Sequence, residues 1–235
     1  MNLALKVLSF FFPELCHSCG NPLKPDESLF CAECRKSLKR VRMYCRRCGE
    51  LFSEELPSWL EERELFGCKF CEAEKVYLDR VFLGFRYAEP ISQLIERAKF
   101  EGDFVLAYKL GRLLRLVLPS LPFDFDLACA VPLSVERLRE RGYNQAELML
   151  WGYLGKRPKP NPLRRIKHTR PQTELSRKER LENVKSAFSV EGNIAGLKVL
   201  LFDDVMTTGA TLRECAKALK KAGANEVVAI ALARA

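Results

Sequence analysis

The sequence predicts an α/β fold: a parallel sheet with helices on both faces, preceded by a small cysteine-rich region. Three observations carry this. From residue 80 onward, strand-like runs alternate with segments of helical spacing. The runs are apolar throughout rather than at every second position, as strands covered on both faces require. Eight of the ten cysteines lie ahead of residue 72, in four C-x-x-C pairs.

Each element has a local reason. "RVFLGFRY" (80–87) is a β-rich apolar run and predicts a strand. "ISQLIERAKF" (91–100) and "FVLAYKLGRLLRLVL" (104–118) repeat apolar residues at helical spacing. "FDLACAVP" (125–132) predicts a buried strand stopped by a proline, and "LRERGYNQAELMLWGYL" (138–154) carries a helix. The polar, basic stretch 161–185 predicts a mobile loop in its first half and a short helix from Ser176 in its second. "KVLLFDDV" (198–205) predicts a strand, "ATLRECAKALKKAGA" (210–224) a helix with Gly223 near its C-cap, and "EVVAIALAR" (226–234) a final strand. Cys129 and Cys215 stand alone in a strand and a helix and read as small buried apolar residues. On a parallel sheet, ligands sit at the carboxyl ends of the strands. Pro132 onward, Asp203–Asp204 and the basic loop after residue 166 fall at such ends.

No apolar run reaches the roughly 18 residues of a membrane span. "NLALKVLSFFFP" lacks a small-residue cleavage site and reads as an amphipathic helix over 1–13, stopped by Pro13. A cytoplasmic setting follows as the expectation. Net charge is +9, and residues 134–185 hold 14 lysines and arginines against 6 acids. A local basic surplus suits a polyanion, either phosphate groups or nucleic acid; it also suits a merely solvated face.

The cysteine pairs are Cys16/Cys19, Cys31/Cys34, Cys45/Cys48 and Cys68/Cys71. A C-x-x-C turn offers two thiolates to one side of a zinc ion, and a second turn closes the tetrahedron. Eight thiols therefore predict two structural zinc ions. Sequential pairing is the simplest arrangement, and the spacing admits an interleaved one as well. "CHSCG" and "CRRCG" share a glycine after the second cysteine, which suits a tight knuckle and an internal duplication. His17 lies inside the first pair but is not needed as a ligand. Disulfides need an oxidising compartment, and a redox motif would occur once beside a βαβ unit. Tyr44, Phe52, Trp59, Phe66 and Phe70 can fill the small zinc core or offer stacking surfaces to a nucleic acid.

"VLLFDDVMTTGAT" (199–211) runs from a buried strand into paired acids and then into small hydroxyl residues. Two unpaired carboxylates cannot be buried cheaply, so they are expected to face the crevice. There they can accept hydrogen bonds from a sugar diol. The loop that follows opens a helix, where backbone N–H groups and Gly209 suit a phosphate. The chain has neither a P-loop nor a G-x-G-x-x-G turn.

Residues 199–211 resemble the 13-residue motif of type I phosphoribosyltransferases. The order of cysteine pairs, "VPLSVERLRERGYNQAELM", "RPQTELSRKERLENVKSAF" and that motif resembles the ComF family over almost the whole chain. The resemblance implies a double zinc ribbon over 14–78 and a type I phosphoribosyltransferase-like domain over 79–235. It implies binding of phosphoribosyl pyrophosphate with Mg²⁺ and a role in DNA uptake during natural transformation. Single-stranded DNA and a helicase of the uptake machinery are the partners it brings. Asp203 and Asp204 would hold the ribose hydroxyls and orient Mg²⁺. Thr207, Thr208, Gly209, Ala210 and Thr211 would cradle the 5′-phosphate. The turn after Val131–Pro132 would bind pyrophosphate with Arg137, Arg139 or Arg141, and the loop around Arg170 and Arg177 would close over it. No residue set in the sequence selects a nucleobase or other acceptor. The alternative is a non-catalytic single-stranded DNA-binding protein that uses the zinc ribbons and the basic face.

Overall fold

A computed structural model describes residues 14–24, 27–52, 66–118, 124–167 and 186–235. The helix expected over 1–13, the helix from Ser176, Trp59, Arg170 and Arg177 lie outside the described residues. Four parallel strands form the central sheet: β1 (Arg80–Arg86), β2 (Leu127–Ala130), β5 (Lys198–Met206) and β6 (Glu226–Arg234). Their order across the sheet is β1-β6-β5-β2, which puts β1 and β2 at opposite edges and β5 beside β6.

Helices cover both faces. On one face α3 (Ile91–Phe100), α4 (Phe104–Val117) and α6 (Gln145–Leu154) bury Ile95, Leu110 and Met149 against Phe82, Leu200, Phe202 and Ile230. On the other, α7 (Ala210–Lys221) buries Leu212, Cys215 and Leu219 against Leu83, Val199, Leu201 and Val227. Helix α7 is covered in turn by a two-stranded antiparallel ribbon, β3 (Leu163–Arg165) and β4 (Phe188–Val190). The sequence missed this ribbon: β3 falls where a loop is expected, and β4 where no element is.

The single helix expected over 138–154 is two: α5 (Val135–Arg141) and α6. Gly142 caps α5 at φ 79°, and the Asn144 side chain accepts from the Ala146 N–H to start α6. A left-handed glycine followed by an N-cap asparagine is a stop and a start, and it overrides the continuous apolar spacing.

The cysteine region follows its duplicated sequence. Cys16 N–H bonds to Asn21 O and Gly20 N–H to Cys16 O; Cys45 N–H bonds to Glu50 O and Gly49 N–H to Cys45 O. Gly20 and Gly49 sit at φ 72° and 75°, where glycine carries no steric cost. The second pair of each unit opens a short helix, α1 (Ala32–Lys36) after Cys31 and α2 (Lys69–Ala73) after Cys68.

The two units do not stand apart from the sheet. Leu29, Phe30 and Leu38 of the first join the core on the α3–α4 face, while Tyr44, Cys45 and Cys48 of the second join the core on the α7 face. The chain between them, residues 39–46, runs along β1. Val41 N–H bonds to Gly84 O, Arg86 N–H to Lys39 O and Val81 N–H to Arg46 O. This strap pairs with the sheet edge that β1 would otherwise present to solvent.

Helices α4 and α6 meet backbone to backbone. A Cβ added at Gly111 would lie 1.8 Å from Met149 O, and one at Gly152 would lie 2.0 Å from Tyr108 O. Only separation of the helices relieves such contacts. Gly111→Ala is expected to cost about 3 kcal/mol, the upper part of the usual overpacking range. Urea denaturation measures it, and a cost below about 1 kcal/mol would show that α6 slides away freely.

Candidate functional site

The carboxyl ends of β2 and β5 open onto a cavity of about 540 Å³. Its floor and walls come from β5, the α7 start, the turn after β2, α5, α6 and the end of α3. Asp203, Asp204, Thr207, Gly209, Ala210 and Thr211 line it, as do Arg137 and Arg141. Thr208 does not; its Oγ1 accepts from Ala210 N–H at 3.3 Å beside Gly209, the N-cap of the helix. Arg139 lies on α5 between the two lining arginines and is exposed outside the cavity. Helical spacing separates them, because residues i and i+4 share a face while i+2 falls on the other side.

The two aspartates are not equivalent. Successive residues of a strand point to opposite faces. Asp204 is 5% exposed, and the sequence expectation that both carboxylates must avoid burial is wrong for it. It is buried because it is paired. Lys99 Nζ lies 2.9 Å and Gln145 Nε2 2.7 Å from its Oδ2, and Val205 N–H donates to Oδ1 at 2.6 Å. Asp203 is half-buried, and its Oδ1 accepts from Asp204 N–H at 2.9 Å. Burial, followed by the adjacent Asp204 charge, pushes the Asp203 carboxyl well above the ordinary range. Burial also opposes ionisation of Asp204, but Lys99 and Gln145 outweigh it and hold that group below the ordinary range. The pair therefore favours one negative charge, seated on Asp204.

The sequence reading missed Lys99, Gln145, Arg165, Tyr87 and Phe100, all of which line the cavity. Lys99 and Phe100 end α3, Gln145 opens α6, and Arg165 ends β3. Burial and then the charge of Arg137 lower the Arg165 pKa, as expected where cations crowd with few anions. Arg141 donates to Gln145 Oε1, and Gln145 donates to Asp204, so a polar chain links the rim to the floor. Asn144 Nδ2 donates to Val131 O at 3.0 Å and fixes α6 against the turn after β2.

At the α7 start, Gly209 has φ 73°, and a Cβ there would meet Met206 Cε at 2.3 Å and Arg213 Nη1 at 2.8 Å. The positive φ favours glycine here, while the two contacts are with the mobile ends of side chains that can shift.

The cysteines gather sequentially. Cys16, Cys19, Cys31 and Cys34 form one quartet and Cys45, Cys48, Cys68 and Cys71 the other, the sulfurs of each lying within 4.8 Å of one another. In the second quartet, Cys45–Cys71, Cys48–Cys68 and Cys68–Cys71 Sγ separations are 3.7, 3.5 and 3.8 Å. Zinc–sulfur bonds of about 2.3 Å require tetrahedron edges of about 3.8 Å, so four thiols at these separations fit the ion. His17 is not among either quartet; its Nδ1 lies 3.4 Å from Arg97 Nη1. Of the aromatic stacking candidates, Tyr44 is buried, its hydroxyl accepting from Leu83 N–H, and Phe70 lies under Arg213. Phe52 packs on the core, while Phe66 is exposed with Arg80 over its ring. No helix among the described residues is long and apolar enough to cross a membrane.

Residues 160–235 match the phosphoribosyl transferase domain family and residues 7–73 the double zinc ribbon domain family. Fold, cavity and quartets thus define a phosphoribosyltransferase domain joined to a double zinc ribbon, the ribbon quartets supporting structural zinc. Competence protein F of Haemophilus influenzae is 35% identical over 236 residues, 96% of this chain and 99% of that protein. DNA utilization protein YhgH of Escherichia coli is 31% identical over 94% of this chain and 97% of its own. Competence protein ComFC of Streptococcus pneumoniae is 29% identical over 90% of each. The chain belongs to the ComF family of competence proteins.

Proposed function

We propose that the cavity binds phosphoribosyl pyrophosphate with Mg²⁺, transfers its phosphoribosyl group to an acceptor, and serves DNA uptake. The observation that supports this most is one cavity holding both a carboxylate pair and a glycine-turned helix start, with cations on the facing wall. Asp203, the more accessible carboxyl, accepts from the ribose diol; the Asp204 N–H holds its Oδ1, and Asp204 carries the charge of the pair. Thr207, Gly209, Ala210 and Thr211 hold the 5′-phosphate at the start of α7. Arg137 and Arg141 face the pyrophosphate, with Arg165 and Lys99 behind them. Mg²⁺, where bound beside Asp203, supplies charge neutralisation to the departing pyrophosphate. The arginines do the same from the protein side, fixed before the bond breaks, which is the electrostatic part of catalysis. The names of the relatives, competence and DNA utilization proteins, supply the setting of DNA uptake. In that setting a cytoplasmic chain meets single-stranded DNA and a helicase of the uptake machinery.

Calorimetric titration with phosphoribosyl pyrophosphate and Mg²⁺ is expected to give saturable binding, lost on Asp203→Ala with Asp204→Ala. A silent titration of the wild type would remove the ligand assignment. A second reading is favoured by Asp204, whose oxygens are already engaged by Lys99, Gln145 and Val205. In it the domain binds single-stranded DNA without turnover. Pyrophosphate release in the presence of DNA, nucleobases or amines separates the two readings.

A further inference from the structure

Lys99 and Phe100 are consecutive at the end of α3, yet they serve opposite levels of the cavity. Lys99 reaches the floor at Asp204, while Phe100 stands at the rim, 77% exposed. The Arg141 guanidinium lies 5.5 Å from the Phe100 ring centroid. The same Arg141 donates to Gln145, and Gln145 donates to Asp204. An aromatic face, a cation beside it and the ligand floor are therefore joined through one set of contacts. Tyr87, the other aromatic lining residue, donates its hydroxyl to Glu96 at 3.0 Å.

We propose that Phe100 and Arg141 form the acceptor platform of this cavity, on which an unpaired base of single-stranded DNA stacks. This rests on the reading of the cavity as a site within a DNA-uptake protein. Three features select that occupant. A large apolar face exposed beside crowded cations matches a planar ring carried on a polyanion, whereas an apolar protein segment would gain nothing from Arg137, Arg141 and Arg165. A duplex hides its ring faces in the stack, so the base must be unpaired. Gln145 is the one side-chain amide lining the cavity among the described residues, and it spends its Nε2 on Asp204 and its Oε1 on Arg141. With both polar atoms of that amide engaged, the platform takes a base by its π-face. This accounts for the lack of base-selecting residues in the sequence.

The test compares two oligonucleotides with the same phosphates, a thymidine homopolymer and its abasic counterpart, by fluorescence anisotropy on the full chain. The wild type is expected to prefer the thymidine strand by on the order of tenfold, the scale of one stacked base. Phe100→Ala should collapse that ratio toward one, and Phe100→Trp should keep it. Phe100 is mostly solvent-exposed, so truncation leaves no core cavity. Equal affinity of the wild type for both strands, no binding of either, or a ratio that survives Phe100→Ala overturns the platform. The measurement contains no phosphoribosyl pyrophosphate. A failed titration of that ligand and a failed platform are therefore read separately.

Discussion

Cys45→Ser is expected to leave one zinc per chain and to destabilise the whole sheet domain rather than the ribbon alone. Cys45 is fully buried and shares one apolar cluster with Val81, Leu83, Leu201 and Val227. Loss of the ion at this quartet leaves three thiols at close range inside that cluster, with no charge to balance them as thiolates. Structural zinc contributes on the order of 10 kcal/mol in isolated fingers, and whole domains are stable by about 5–15 kcal/mol. A loss of about 5 kcal/mol here lowers Tm by about 10–20 °C for a chain of this size. Elemental analysis gives the metal count, and thermal denaturation gives the stability. One zinc lost with Tm unmoved would mean that the second quartet is an appendage, contrary to its packing.

Lys99→Met is expected to cost about 3 kcal/mol, and the cost is expected to depend on pH. Removing one partner of a buried ion pair strands the other, a loss usually of about 3–5 kcal/mol. Asp204 keeps Gln145 and Val205 N–H but loses the cation that sits 2.9 Å from its Oδ2. In the wild type its folded-state pKa is depressed. Such a carboxyl stabilises the fold above its unfolded value, near 4, and loses that contribution as pH falls through the folded value. Without Lys99, burial acts with less opposition and raises the pKa. A carboxyl raised on folding favours the fold at low pH and loses that advantage as pH climbs above about 4. The stability gap between wild type and Lys99→Met should therefore widen from about pH 4 to pH 7 in urea denaturation. A constant gap would show that Lys99 contributes through its aliphatic stem rather than its charge.

The sheet is legible in the sequence because its strands are apolar on both sides. The run at 226–234 coincides with β6 end to end, and the run at 198–205 stops one residue short of β5. Elements of three residues, β3 and β4, are too short to show any period. The Gly142–Asn144 break was readable in principle, since both residues carry local signals, but apolar spacing across it suggested continuity. Within the site, Asp203 to Thr211 stand out because they are contiguous. Gln145 reaches Asp204 across 59 positions, and Lys99 comes from a helix whose pattern announces only an apolar face. Such partners are created by the crossovers of the sheet, and no spacing encodes them. The unequal state of the two aspartates follows from those partners, so it was equally out of reach.

The strap over residues 39–46 also bears on the order in which the chain acquires its structure. β1 has one neighbour in the sheet, β6, and the hydrogen bond from Val227 N–H to Asp79 spans 148 positions. Contacts of such separation form late, because loop closure must precede them. During synthesis β1 emerges long before β6 exists. The strap, already made and anchored between two metal knuckles, is the partner available to it in that interval. It is expected to hold that strand's unsatisfied backbone groups until the far end of the chain arrives to complete the sheet.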